Sequence, residues 1–380
     1  HILAALIEKV PRDLPIYARS VMTIIDTVLR SNDINMVEES IVTFEMFCQY
    51  QDIAAIAADQ GLAHQYREVV RTYTSLADPE FTSNSNSNFS PQMAIRWRNA
   101  GLQAIRAVVS SETLTTDGGI SLKLCLPVVL KNLYSDDEDL LTTLKSKLTE
   151  PDPNERERPK PRRMSVNTVH TVDTAEGDPE LAAQSAVEAD RKAELGARVL
   201  ALRCLEQTIV SGSNRGQIRT AVTVVLQFIS SKGFPRSEKH VQINEGKSGN
   251  WATSLIELIA NWCPMQVRFI ILITAMEILH DTSPKEDALE SSFTILSVVD
   301  WLLSSSVNMI GLSVMDILSG LMHYASDIIS PPERTGSAES EKKSNRQTDT
   351  VVQICPRRQD LLTLLEQCIG DLATHMYYRD

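Results

Sequence analysis

The chain has little of what most chemistry requires. Aromatic residues make up 5% of its 380 residues, and its six cysteines (Cys48, Cys125, Cys204, Cys263, Cys355, Cys368) include no CxxC pair and no dense framework. That spacing excludes the usual thiolate zinc clusters and a disulfide scaffold. Most of these cysteines fall within apolar helical stripes and read as small buried hydrophobes in a reducing compartment. Net positive charge is also absent. At −12 the balance argues against nucleic acid as the main partner, because phosphate neutralisation needs a basic face. Long hydrophobic runs are missing too. The most apolar run, Phe269 to Met276, is flanked by Arg268 and Glu277 and falls far short of the ~20 residues that span a bilayer. It reads as a buried helix.

Motifs of catalysis are equally scarce. There is no G-x-S-x-G elbow, no HExxH, no EF-hand loop and no clustered Cys/His ligand set. Gly246-Lys247-Ser248 matches the end of a Walker A loop, but Val241 stands where the first glycine is required and no strand precedes it. His64, His280, His323 and His375 are read as solitary residues on helices or at their ends. The acidic run Asp136-Asp137-Glu138-Asp139 sits where a helix begins, so capping and the helix dipole account for it. Asn88-Phe89-Ser90 fits a glycosylation sequon, which carries no weight without a secretory leader pattern, and the first residues show none. No catalytic, cofactor-binding or metal-binding residue is therefore assigned, and the chain is read as non-enzymatic.

What the sequence does have is helical periodicity, with apolar residues at 43% dominated by Leu, Ile, Val and Ala. A turn pattern recurs between the helices: Leu-x-Ser-x-Asp-x-x followed by two apolar residues. It occurs as Leu29, Ser31, Asp33, Met36, Val37 and as Leu133, Ser135, Asp137, Leu140, Leu141, with a weaker copy at Leu302, Ser304, Ser306, Met309, Ile310. Each copy is expected to close one helix and open the next, a Ser or Asp side chain accepting from the free N–H groups of the new first turn. In the first pair, Leu14, Ala18, Val21, Ile25 and Val28 draw one face, and Ile34, Val37, Ile41, Phe44 and Cys48 draw the opposing one. Further helices are predicted over 53–76, from Pro91 to about Ser110, 122–134, 140–148, 181–209, 217–230, 251–280 with a break at Pro264, 293–303, 310–329 and 359–378. No convincing strand is found.

The expected fold is therefore all-α: a rod-shaped α-solenoid of armadillo/HEAT-like helix pairs, interrupted by disordered linkers. Residues 1–150 hold the first helical repeats, 151–180 a Pro-rich charged linker, 181–329 continued repeats, 330–356 a polar linker and 357–380 a last helix. The sequence enters at His1 in mid-pattern, with no Met and no cap, so it is expected to be a piece of a larger solenoid. One segment looks like a modification site. Arg162-Arg163-Met164-Ser165-Val166 lies in the first linker, and Ser165 preceded by two arginines suits a basophilic kinase. Phosphorylation there would add about −1.5 to −2 charges to a basic cluster.

Several stretches resemble a known family. They are residues 1–15 (HILAALIEKVPRDLP) with Ile16-Tyr17-Ala18 and Val28 to Asp33, then Arg96-Trp97-Arg98-Asn99-Ala100-Gly101-Leu102, and Leu126 to Tyr134. These are similar to the Eighty-five Requiring (rolling blackout) family of plasma-membrane scaffolds. The resemblance implies a peripheral protein of the cytoplasmic face of the plasma membrane, built as a rod of armadillo/HEAT-like helices. It implies partners as well: a tetratricopeptide-repeat adaptor and, through it, the type III alpha phosphatidylinositol 4-kinase, in support of phosphatidylinositol 4-phosphate synthesis. Contact with anionic lipids is implied through segments upstream of His1, so no residue of this chain inherits it. The competing readings are another HEAT/armadillo adaptor, such as a transport receptor or phosphatase scaffold, and a membrane lipase, for which the nucleophile elbow is missing.

Overall fold

The computed structural model describes residues 1–81, 90–112, 114, 117–137, 139–148, 179–212, 214–232, 251–282, 288–305, 307–329 and 356–376, with backbone alone at 179–186 and 375–376. Among them every regular element is helical. The all-α solenoid expectation holds at the level of fold class, with helices packed on others one to three helices away in the chain. The chain divides into two compact units, His1–Ser213 and Asn214–Asp380.

The first unit contains α1 (Ile2–Lys9), α2 (Leu14–Arg30), α3 (Ile34–Tyr50), α4 (Ile53–Ala58), α5 (Gln60–Ala77), α6 (Pro91–Val109), α7 (Ile120–Leu133), α8 (Leu140–Leu148) and α9 (Pro179–Val210). Pro11 ends α1 and starts a short 3-10 turn, as expected of a residue that lacks the N–H a helix interior needs. The turn between α2 and α3 follows the sequence pattern. Ser31 Oγ donates to the Val28 carbonyl at 2.7 Å, and Asp33 Oδ1 accepts from the Asn35 N–H at 2.9 Å. Asn32 between them has φ +54°, a left-handed conformation that Asn tolerates better than most residues.

One predicted helix is two. Residues 53–76 break at Asp59, which is extended, accepts from the Leu62 N–H at 3.1 Å and thereby caps α5. A carboxylate at that position satisfies a free first-turn donor, so a new helix starts where apolar periodicity alone reads through.

At the centre of this unit lies α6, which packs against α3, α5, α7 and α9. Such a helix must be apolar on most of its circumference, and Trp97, Ala100, Gly101, Leu102, Ala104, Ile105, Ala107, Val108 and Val109 are all buried. The core on its α3–α5 side is aromatic. Phe44 and Tyr73 are fully buried with ring centroids 4.9 Å apart, and the Tyr73 hydroxyl shares a 2.8 Å hydrogen bond with Ser40 Oγ.

The second unit contains α10 (Arg215–Lys232), α11 (Trp251–Trp262), α12 (Phe269–Asp281), α13 (Leu289–Ser304), α14 (Val314–Ile329) and α15 (Pro356–Asp371), which runs on into a π-helical turn, Leu372–Met376. Its central helix is α13, surrounded by α10, α11, α12 and α15. The break expected at Pro264 is present: a 3-10 turn, Met265–Val267, separates α11 from α12, and the pair bends by 120°. No single described helix is long and apolar enough to cross a membrane; α11 and α12 together pass that test only as a bent pair. Ile270, Ile271, Leu272, Ala275, Met276 and Leu279 of α12 are buried among protein neighbours, as the sequence predicts.

The weaker third copy of the turn pattern behaves differently. The helix expected from Ile310 begins at Val314. Gly311, at φ +84°, and Ser313, whose Oγ accepts from the Asp316 N–H at 3.3 Å, set the later start. Ser306, where the stronger copies carry Asp, lies outside the described residues.

Candidate functional site

Two of the stretches that carry the family resemblance, Arg96 to Leu102 and Leu126 to Tyr134, lie on α6 and at α7, which meet α5. Gly101 allows α6 to touch the backbone of α5: a Cβ built on it would stand 2.5 Å from the Ala77 nitrogen and 2.6 Å from the Tyr73 carbonyl oxygen. From α7, the buried Asn132 donates through Nδ2 to the Ala77 carbonyl at 2.9 Å, satisfying an acceptor that the end of α5 leaves free. Lys131 beside it pairs with Asp78 at 2.8 Å, which together with Glu80 pushes the ammonium pKa above its ordinary value, the Asp78 hydrogen bond contributing most. Arg96 reaches from α6 to α3, with Nε 3.0 Å and Nη2 2.6 Å from the two Glu38 oxygens and Nη2 3.0 Å from Asn35 Oδ1.

Ion pairs of this kind recur between the helices. Arg19 on α2 forms a two-pronged contact with Asp59, 2.6 Å and 2.5 Å. On α9, Glu194 lies between Arg98 of α6 and Arg198 of its own helix. Burial pushes the Glu194 carboxyl up, but the hydrogen bond from Arg198 and the charge of Arg98 outweigh it and the pKa is lowered. In the second unit Arg219 of α10 meets Glu277 of α12 at 2.7 Å. Such partly exposed pairs contribute little stability individually, about 0–1 kcal/mol.

The cysteines lie inside. Cys48, Cys125, Cys204, Cys263 and Cys368 are all free and buried. Burial pushes the Cys48 and Cys204 thiols up to about 12 and the Cys263 thiol to about 11, with Cys125 and Cys368 raised as well. Thiols in that state are poor nucleophiles and poor acylation sites. Cys355 lies outside the described residues.

So do several residues singled out in the sequence: Ser165 with Arg162 and Arg163, the Gly246-Lys247-Ser248 triplet, Glu138 and the Asn88-Phe89 part of the sequon. Of the acidic run, Asp137 Oδ1 accepts from the Asp139 N–H at 3.1 Å, and Ser135 Oγ accepts from the Asp137 N–H at 3.1 Å. These carboxylates organise the turn before α8.

One expectation is corrected. His280 and His323 are not solitary. The last turn of α12 and the middle of α14 bring their rings to a centroid separation of 5.6 Å at 74°, and His323 Nδ1 lies 3.2 Å from Asp327 Oδ2. His323 and Asp327 are four residues apart on one helix, a spacing visible in the sequence. That His280 joins them depends on α12 packing against α14, which periodicity does not reveal.

Comparison with known proteins gives this arrangement a context. Residues 249–330 match a family model described as EFR3 protein. Along its whole length the chain is 53% identical to Protein efr3 of Aspergillus oryzae and 52% identical to Protein efr3 of Emericella nidulans, covering 33% of each. It is 25% identical to Protein EFR3 of Yarrowia lipolytica, covering 38% of it. Over its whole length the chain is thus similar to proteins of the EFR3 family. This is the Eighty-five Requiring family that its stretches resemble, and the chain spans about a third of the length of the curated relatives it matches. None of these relatives is named for a catalytic activity. No solved structure matches the chain.

Proposed function

We propose that this chain is part of a non-enzymatic scaffold that holds a lipid-kinase complex at the cytoplasmic face of the plasma membrane. In this reading the whole protein binds a tetratricopeptide-repeat adaptor and, through it, the type III alpha phosphatidylinositol 4-kinase, supporting synthesis of phosphatidylinositol 4-phosphate. The observation that carries it is similarity over the whole chain to EFR3 proteins, at up to 53% identity among the relatives named above.

The fold is consistent with such a role. The polar and small residues of the family-like stretches, Gly101, Asn132, Lys131 and Arg96, join one helix to the next. Such joints make a long helical surface rigid, and a rigid surface can hold partners at fixed spacing with little loss of conformational freedom on binding. No described cysteine of this chain is given a part in membrane attachment in this reading, because all five are buried. Ser165 with Arg162 and Arg163 is assigned as a phosphorylation site between α8 and α9.

Recruitment tests the reading directly. In cells whose own copy is depleted, the longer chain containing these 380 residues should restore the kinase and its adaptor to the plasma membrane. A version lacking residues 1–380 should not. Full recruitment by the truncated version would refute the assignment of this segment to the scaffold.

A further inference from the structure

We propose that His280, His323 and Asp327 form a binding site for one divalent transition-metal ion of the zinc class, held between the end of α12 and the middle of α14. One donor atom from each residue can be chosen so that all three lie within 4.8 Å of one another. Around a tetrahedral zinc ion, with bonds of about 2.0–2.2 Å, neighbouring donors stand roughly 3.3–3.5 Å apart. The 3.2 Å between His323 Nδ1 and Asp327 Oδ2 is already close to that edge length. His280 needs only a small ring movement to complete a face of the tetrahedron, and it is exposed, as is His323.

The backbone supports the convergence. Gly320 lies one turn before His323, and a Cβ there would stand 3.3 Å from His280 Nε2 and 3.0 Å from the Met276 methyl. Its bare Cα leaves room for the His280 ring to lie against α14 and face His323. The i,i+4 contact of His323 with Asp327 is explained by a simple side-chain hydrogen bond along one helix. The second imidazole, arriving from another helix, is not, because two imidazoles have no opposite charges to pair. Both offer lone pairs to a metal. Two nitrogen donors and one carboxylate select zinc, cobalt, nickel or copper over magnesium and calcium, which take oxygen. Three protein ligands leave a fourth position for water or for a group from a partner. The ion would join α12 to α14 and stabilise the second unit in proportion to its occupancy.

The test is a calorimetric titration of the 380-residue chain with Zn2+, repeated with Co2+ followed by its visible absorption. The wild-type chain should bind one ion whose Co2+ bands indicate four-coordination. His280→Gln and His323→Gln should each weaken that binding by about tenfold or more and abolish the bands, and Asp327→Asn should weaken it less. His64→Ala, an exposed histidine of the first unit, should change neither. In chelator all four variants should melt with the wild type, and Zn2+ should raise the melting temperature of the wild type and of His64→Ala but not of the two His→Gln variants. Absence of saturable one-to-one binding in the wild type would overturn the proposal. So would unchanged affinity in the His280→Gln/His323→Gln double variant, which would place the ion elsewhere.

Discussion

Gly101 lies directly on the backbone of α5, with no room for a methyl group between it and Ala77. A Cβ would meet the Ala77 nitrogen at 2.5 Å and the Tyr73 oxygen at 2.6 Å, and neither is a flexible side-chain end that can swing aside. One added carbon therefore requires the two helices to separate. Gly101→Ala should lower the unfolding free energy by about 3 kcal/mol, at the upper end of overpacking costs. Gly196 in α9 is the control. A Cβ there meets nothing within 4 Å, so Gly196→Ala should be stabilising by up to about 1 kcal/mol through helix propensity. Urea denaturation of the two variants checks both; equal effects at the two positions would contradict the close approach.

Phe44 tests the aromatic centre of the first unit. Its side chain is fully buried between α3 and α5, facing Tyr73 and Tyr66. Truncation to Ala should cost ~3–5 kcal/mol, and a change within error would place the ring outside the core. Tyr73→Phe removes only the hydroxyl that pairs with Ser40 Oγ. It should cost about 1 kcal/mol, since Ser40 keeps its 2.7 Å bond to the Val37 carbonyl. Chemical denaturation of each variant gives the two values.

These positions show what the sequence conveys and what it does not. Phe44 is legible because its spacing from Val37, Ile41 and Cys48 follows the helical period, and burial follows period. Asp33 is legible because a capping carboxylate acts within three residues of itself. The break at Asp59 is a local signal as well, but the apolar pattern of Ile53, Ile56 and Leu62 runs across it and hides it. Gly101 reads as one small residue among several on α6; its necessity lies in α5, more than twenty residues away. The histidine pair is harder still. His280 and His323 are 43 positions apart, and only the packing of α12 on α14 makes them neighbours.

Burial of the thiols has a direct chemical consequence. Desolvation raises Cys48, Cys204 and Cys263 to between about 11 and about 12 and pushes Cys125 and Cys368 up as well, so almost no thiolate is present at neutral pH. In native buffer none of these five should be alkylated over a period in which the same chain in denaturant reacts fully. Peptide mapping after labelling identifies the sites. Native labelling at Cys48 or Cys204 would show that the unit opens around the α3 or α9 contacts.

Asp59 joins two roles, and substitution can separate them. It caps α5 by accepting from the Leu62 N–H, and it holds Arg19 of α2. The Arg19 hydrogen bond, with help from the Leu62 N–H, draws its carboxyl down from 3.8 to about 2. A carboxyl depressed in the folded state contributes stability that is fully present above its unfolded value and is lost as pH falls through its folded value. The wild type should therefore exceed Asp59→Asn by a constant margin above pH of about 4. That margin should shrink between about 4 and about 2 as the carboxylate is protonated. Asn is itself a good N-cap, so Asp59→Asn removes the charge and keeps the cap, whereas Asp59→Ala removes both. At pH 7 the order of melting temperature should be wild type, then Asp59→Asn, then Asp59→Ala. Raising the salt concentration should narrow the first gap, because the pair is exposed and screened, and leave the second, because a neutral side-chain oxygen accepting from the Leu62 N–H is not. A first gap that survives high salt unchanged would show that Arg19 and Asp59 act through packing and not through charge.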